Sequence, residues 1–422
     1  DSTGIHNLFA GVQFESNETK NGFQRFGAGY YTFLFDSESD LMNAINNNTI
    51  FDNPHQFAIT HSLEDPNSQS YPRFTFNQLS FYLQDEMAIS DRFKLTAGLR
   101  LELPMYPDLS YNYSQQVANA TFADYKGNGG KYDTRQLPST KVMLSPRVGF
   151  NWDITGDRTY VLRGGTGLFT GRLPFVWIVA QAGDAGVIQT TYTAVNGEKD
   201  KVLPGFTTDR REMIEQVYDP NASALSISSI TLMADDLRMP QTWKSSLALD
   251  VRLPGDVMAS IEGIYNYDID PVTITNIGLT DPISSNINNY ADNRMVWGGK
   301  YDSKISNAYL LHNTGKNGYY SSVTAKLEKN NWHGFSGMVA YTYSDARSLS
   351  DGFGDQVYSA WNSANTVNGQ NYVDLGYASY VMPHRLIASL GYKVNYGKHF
   401  ATSVTLLYDG GPRGRASYTY TA

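Results

Sequence analysis

Runs of alternating apolar and polar residues recur along this chain, and five times two such runs are joined by a turn of only a few residues. In the clearest case, residues 79–103, Phe93, Leu95, Ala97, Leu99, Leu101 and Leu103 share one parity while Lys94, Thr96, Gly98, Arg100 and Glu102 share the other. Successive side chains on a strand point to opposite faces, so this run has one apolar and one polar face. The run before it sets Leu79, Phe81 and Leu83 against Ser80, Tyr82 and Gln84, with a turn near Ser90-Asp91. A second hairpin, residues 147–169, carries Val148, Phe150, Trp152 and Ile154 on one face and Arg147, Gly149, Asn151 and Asp153 on the other, and turns at Thr155-Gly156-Asp157. The third turns at Pro254-Gly255-Asp256, between Leu247, Leu249, Val251 and Leu253 and then Val257, Ala259 and Ile261. The fourth is expected to turn at Asn330-Asn331 and the fifth near Tyr396-Gly397-Lys398, where Asn, Asp, Gly and Pro supply the backbone angles a turn needs.

Residues 1–65 are less regular. His6 to Phe14, Gly29 to Phe35 and Gln56 to Ser62 read as strands, and Ser37-Glu38-Ser39-Asp40 resembles a capping box opening a short helix through Ile45. Long connections follow at about 105–143, 172–240, 268–317 and 346–381, the second with a helix from Asp209 to Tyr218 that sets Met213 and Val217 on one face. The runs predict about 12–14 strands. They are about 10–12 residues long, longer than the five or six usual in a soluble sandwich and long enough to cross a bilayer at a tilt of roughly 45°. Short turns at one end and long loops at the other complete the pattern of a transmembrane antiparallel β-barrel, with short periplasmic turns and long extracellular loops. The fold class is therefore all-β, a transmembrane antiparallel barrel, with residues 1–422 in one domain.

Composition changes this picture little. No stretch approaches the roughly 18 consecutive apolar residues of a membrane helix. Tyr, with 30 copies against 20 Phe and 6 Trp, is the aromatic favoured where an apolar ring meets a wet boundary. Two girdles are expected: Tyr106, Tyr265, Tyr267, Tyr341, Tyr343 and Tyr408 towards the loops, and Trp152, Trp332, Tyr396 and Phe400 near the short turns. The absence of Cys removes disulfides and thiolate metal sites. A net charge of −8 argues against nucleic acid. No signal peptide stands at Asp1, so an outer-membrane chain with this start is mature, processed or cut from something longer.

Several segments resemble the TonB-dependent outer-membrane transporters. Ser80-Phe81-Tyr82-Leu83-Gln84-Asp85-Glu86 followed by Leu95-Thr96-Ala97-Gly98-Leu99-Arg100 looks like one of their strand pairs. The likeness sharpens at Ser145-Pro146-Arg147-Val148-Gly149-Phe150-Asn151-Trp152-Asp153 and at Leu162-Arg163-Gly164-Gly165-Thr166-Gly167-Leu168-Phe169-Thr170-Gly171-Arg172. It continues at Ala340-Tyr341-Thr342-Tyr343-Ser344 and Pro383-His384-Arg385-Leu386-Ile387-Ala388-Ser389-Leu390-Gly391-Tyr392. Order and spacing together, from about residue 74 onward, resemble the Oar-like, SusC-related branch of Bacteroidota. The resemblance implies a plug domain that contacts TonB, a barrel of 22 strands and a surface lipoprotein partner. No plug-like region precedes His6, and the Oar-like pattern would continue past Ser417-Tyr418-Thr419-Tyr420, so the expectation is the middle of a longer polypeptide.

Candidate chemistry is sparse. Arg100, Glu102, Arg147, Asp153, Arg163, Lys326 and Glu328 fall on the polar parity and are the lumen-facing or plug-contacting candidates. The same groups could simply bond to one another or to water, as any wet lumen requires. Tyr111, Tyr113, Tyr132, Trp177 and Trp361 are loop aromatics that could form a ligand platform, although tyrosines on outer loops are common. Gly164 to Gly171 superficially looks like a phosphate loop but lacks its Lys-Ser/Thr end, so strand glycines allowing close backbone approach fit better. His384 has no second ligand at metal spacing, and neither Gly-x-Ser-x-Gly nor His-Glu-x-x-His occurs. The expectation is therefore no catalytic residue, no metal and no cofactor. The resulting reading is the barrel of an active transporter, embedded in outer-membrane lipid, with peptide, glycan and siderophore all open as cargo. Its rivals are a passive porin-like channel and a surface adhesin or secretion-associated barrel protein.

Overall fold

A computed structural model describes residues 4–123, 130–218, 227, 229–280, 299–350, 356–364, 366, 369–412 and 414–415, so Ser417 to Tyr420 lie outside the described residues. In chain order the first elements are β1 (Ile5–Lys20), β2 (Tyr30–Thr32), α1 (Glu38–Asn46), β3 (Gln56–Ser62), β4 (Arg73–Ser90), β5 (Phe93–Met105) and α2 (Gln115–Asn119). Next come β6 (Met143–Asp153), β7 (Tyr160–Thr170), α3 (Phe175–Asp184), β8 (Gln189–Val195), α4 (Arg210–Val217) and β9 (Ile230–Met233). They are followed by β10 (Gln241–Leu253), β11 (Val257–Ile269), β12 (Val272–Asn276), β13 (Ala308–Asn313), β14 (Tyr319–Trp332) and β15 (Phe335–Ser348). The last are α5 (Val357–Asn362), β16 (Gly376–Tyr377), β17 (His384–Tyr396) and β18 (Phe400–Gly410).

One antiparallel sheet of 12 strands dominates, in the order β1-β4-β5-β6-β7-β10-β11-β14-β15-β17-β18, with β16 added to β15. It is not closed: β1 and β18 stand at its two ends. All five expected hairpins are present, as β4-β5, β6-β7, β10-β11, β14-β15 and β17-β18. Register keeps the parities in step, so one row on the polar face runs through Lys94, Asn151, Arg163, Ala248, Glu262, Thr324, Thr342 and Arg385, with only Ala248 apolar. On the opposite face Leu8, Leu83, Leu247, Leu390 and Leu406 remain exposed. None of them is covered by the protein, as expected of a face turned to hydrocarbon.

Several expectations are corrected. The strands of the hairpins run 11 to 18 residues, and β1 reaches Lys20 rather than stopping at Phe14. The strand expected from Gly29 to Phe35 shrinks to Tyr30–Thr32. The fourth turn is not at Asn330-Asn331 but at His333-Gly334, where φ is +50° and +87° and Trp332 pairs with Phe335. Two successive left-handed residues are what a two-residue hairpin loop demands, and a bulge between Lys329 and Trp332 absorbs the shift. Ser37 caps α1 as expected, accepting from the Asp40 N–H, but its hydroxyl also donates to the Asp40 carboxylate. Tyr106 leaves the girdle: it shares parity with Arg100 and Glu102, so it points inward and packs against Phe76 at 5.7 Å. The turn-side girdle does form, with Trp332–Phe335, Phe335–Tyr392 and Tyr396–Phe400 ring contacts at 6.5, 4.5 and 6.1 Å.

The buried core lies at the long-loop end instead of inside the sheet. There β12-β13-β9 and β2-β3-β8 form two three-stranded sheets. Leu109, Val117, Phe122, Ile178, Ile230, Leu232, Ile277, Ile305 and Tyr309 pack into one apolar cluster with Phe74 and Phe76 from the end of β4. A smaller cluster joins Phe57 and Ile59 of β3 to Met213 and Ile214 of α4. The long connections thus make a folded cap with its own core.

Candidate functional site

Where the cap meets the polar face of the sheet, six side chains close a ring of hydrogen bonds. Arg100 Nε donates to Glu102 Oε1 at 3.1 Å, and Gln78 Nε2 donates to the same oxygen at 3.1 Å. Arg172 Nη2 reaches both Gln78 Oε1, at 3.2 Å, and Glu15 Oε2, at 2.7 Å. Gln13 completes the circuit, donating to Glu15 at 2.7 Å and accepting from Arg100 at 2.9 Å. Two guanidinium and two carboxylate groups balance, and each amide is oriented by one donor and one acceptor contact. Arg172 follows β7, yet Glu15 lies on β1, four strand spacings away in the sheet. Such a contact requires the sheet to curl towards the polar face, which makes that face the concave, lumen side.

A second network lies lower on the same face. Arg163 pairs with Asp250 at 2.9 Å and with Glu262 at 3.3 Å, and Ser260 donates to Asp250 at 2.6 Å. Lys326 pairs with Glu328 at 3.0 Å, and Asn330 donates to Glu328 at 2.8 Å. Of the sequence candidates, Arg100 and Glu102 therefore join the ring, while Arg163, Lys326 and Glu328 join this second group. Asp153 serves the β6–β7 turn, accepting from the Gly156 N–H at 2.8 Å and the Arg158 N–H at 3.0 Å. In that turn the Thr155 hydroxyl and the Thr159 N–H hold Asp157 down to about 2. Arg147 forms no ion pair or hydrogen bond among the described residues; its side chain lies across Gly98.

Sequence reasoning missed Gln13, Glu15, Gln78, Arg172, Asp250 and Glu262. The available signal was parity on β1 and β10, since Gln13, Glu15 and Asp250 sit on the polar side of their runs. Arg172 lies beyond its strand and carries no such signal.

The five loop aromatics separate into two groups. Tyr132, Trp177 and Trp361 pack against the cap core, with Trp361 donating to Asn371 at 2.9 Å and its ring tilted 52° to that of Tyr309 at 5.2 Å. Tyr111 and Tyr113 remain exposed, and the Arg135 guanidinium sits 4.4 Å from the Tyr113 ring. At the end of α3, burial pushes the Asp184 carboxyl up to about 7. Between ring and cap lies a cavity of about 220 Å³, lined by Gln78, Glu102, Arg172, Pro104, Met143 and Met239 among others. Among the described residues no cluster of three or more His, Asp or Glu could hold a metal ion.

The protein family described as outer membrane beta barrel domain matches residues 2–408. No curated protein matches the chain. Among solved structures, the outer membrane transporter YddB from Escherichia coli is similar over 92% of this chain and 37% of that one, with 10% identity and a TM-score of 0.50. The FrpB iron transporter from Neisseria meningitidis is similar over 92% and 37%, with 12% identity and a TM-score of 0.41. For the siderophore receptor PiuA from Acinetobacter baumannii the values are 92% and 41%, 10% identity and 0.40. At 10% identity the likeness to YddB is one of fold alone, and the chain spans less than half the length of each of these proteins.

Proposed function

Since this chain belongs to the outer membrane beta barrel domain family, we propose that residues 1–422 are part of one barrel domain in an outer-membrane active transporter. We place it in the TonB-dependent class, in the Oar-like, SusC-related branch of Bacteroidota. The observation that carries this reading is the pairing of a lumen face laced with compensated charges and a folded cap at one rim. A wall of this kind binds and guides; it performs no covalent chemistry on its cargo. A plug inside the lumen would meet Arg100, Glu102, Arg163, Lys326 and Glu328 as a fixed pattern of charge, and Arg147 as a cation still able to take a carboxylate. Tyr111 and Tyr113 are the exposed aromatics left for ligand contact, and a surface lipoprotein would seat on the cap. Energy relayed through TonB would move the plug while the hydrogen-bonded wall stays rigid.

Uptake into cells producing the protein tests this, with labelled peptide, glycan and siderophore mixtures and with the TonB complex intact or deleted. Uptake that disappears with TonB supports active transport. Steady ion conductance of the purified protein in planar bilayers, with uptake indifferent to TonB, would instead establish a passive channel. Loss of partner binding on cap deletion, with no TonB-dependent uptake at any point, would establish an adhesin or secretion component.

A further inference from the structure

The cavity under the cap joins two opposite charges and an apolar wall in one small space. Glu102 and Arg172 line it, Gln78 lies between them, and Pro104, Met143 and Met239 supply apolar surface. Within the ring Glu102 accepts only through Oε1, from Arg100 and Gln78. Arg172 donates only through Nη2. Among the described residues, Glu102 Oε2 and the Nε and Nη1 of Arg172 make no hydrogen bond. A carboxylate accepts at both oxygens and a guanidinium carries five N–H donors, so each group keeps capacity for a ligand. A ligand that uses both must present a cation and an anion close together.

Size and lining narrow the class further. A volume of about 220 Å³ lies below the roughly 300–1,000 Å³ of sites that hold drug-sized ligands, which excludes a siderophore. No aromatic ring lines the cavity, so it offers no stacking face. Two methionines give it a flexible, polarizable wall that adapts to different aliphatic groups. We propose that this cavity binds a free α-amino acid with an apolar side chain, its carboxylate on Arg172, its ammonium on Glu102 and its side chain against Met143 and Met239. This rests on the transporter reading for its biological use, as the entry point of such a cargo.

The test is calorimetric titration of the full protein, purified in detergent, with L-leucine, isovalerate, isoamylamine and glucose. L-Leucine should bind, and each half-ligand should bind about tenfold or more weakly, the worth of one hydrogen bond to a charged group. Glu102→Gln and Arg172→Gln should each weaken L-leucine by a similar factor, while Lys94→Gln, near the short turns of the same face, should leave it unchanged. Isovalerate binding as tightly as L-leucine, or no L-leucine heat anywhere in the millimolar range, would overturn the assignment. The half-ligand series uses the unaltered protein and so decides the matter even if the ring variants misfold. Binding is read apart from transport. L-Leucine binding without TonB-coupled uptake removes the transporter reading alone, and coupled uptake of another cargo without L-leucine binding removes the cavity assignment alone.

Discussion

Leu99 and Thr96 stand three residues apart on β5 and face opposite solvents. Leu99 is exposed on the apolar face, and Thr96 shares the polar face with Gly98 and Arg100. An Arg at position 99 should cost about 2–4 kcal/mol and impair assembly, while an Arg at 96 should be tolerated. Urea unfolding from lipid vesicles measures both, and equal tolerance of Leu99→Arg and Thr96→Arg would remove the membrane assignment of the faces. The same reasoning isolates an exception. Asp85 pairs in register with Leu8 and Ala97 on the apolar face, and there His6 Nδ1 lies 2.7 Å from its carboxylate. Its other oxygen, Oδ1, is buried without a partner. An acid on a lipid-facing surface is costly unless it is paired. His6→Leu should therefore destabilise by about 1–3 kcal/mol, and adding Asp85→Leu should recover the loss. A double variant as unstable as the single one would show that the pair is not what matters. Asp85 breaks the apolar parity of its strand and Glu15 lies beyond the run from His6 to Phe14, so alternation alone marks neither the pair nor Glu15. Arg172 was hidden for a different reason: its partners depend on curvature, which no local pattern encodes.

At the scale of elements, the hairpins were legible because turn residues and parity agree, and the one displaced turn shows which signal was weaker. Asn330 and Asn331 have turn chemistry, but His333-Gly334 takes the left-handed backbone, and Gly334 also has the Lys393 carbonyl against it. A Cβ there would stand 2.5 Å from that oxygen. Gly334→Ala should cost about 1–3 kcal/mol through strain and contact together. If thermal melts show no loss, the turn lies elsewhere. Helix α3 was not foreseen because Phe175-Val176-Trp177-Ile178-Val179-Ala180 is buried on most sides and so lacks amphipathic spacing. Its last residue gives the cap a pH response. Asp184 titrates near 7 in the folded protein and near 3.9 unfolded, so the folded state holds the extra proton between those values. Stability contributed at this site is present at low pH and lost as pH rises from about 4 through 7. Asp184→Asn should stabilise the cap at pH 8, by on the order of 2 kcal/mol once partial exposure is allowed for, and hardly at all at pH 4. Hydrogen exchange of α3 amides at the two pH values reads this directly, and a pH-independent difference would contradict it.

For the whole molecule, two kinds of order coexist. The sheet is held by its strand ladder and leaves its apolar face uncovered, whereas the cap is organised like a water-soluble protein around Ile178, Leu232, Ile277 and Tyr309. The sheet was readable from the chain because period-two alternation is local. The cap was not, because β9, β12 and β13 are short segments of four to six residues brought together across long connections, with β13 and β9 paired in parallel. Legibility thus fell off with sequence separation, and the ring at their junction depends on both halves. That ring behaves as a tie across an arch. From β1 to β7 the arc measures roughly 19 Å, four spacings of about 4.8 Å, and the Arg172–Glu15 link shortens the chord beneath it. The tie holds the arc from β1 to β7 at one curvature, so the cap sits on a rim of fixed radius.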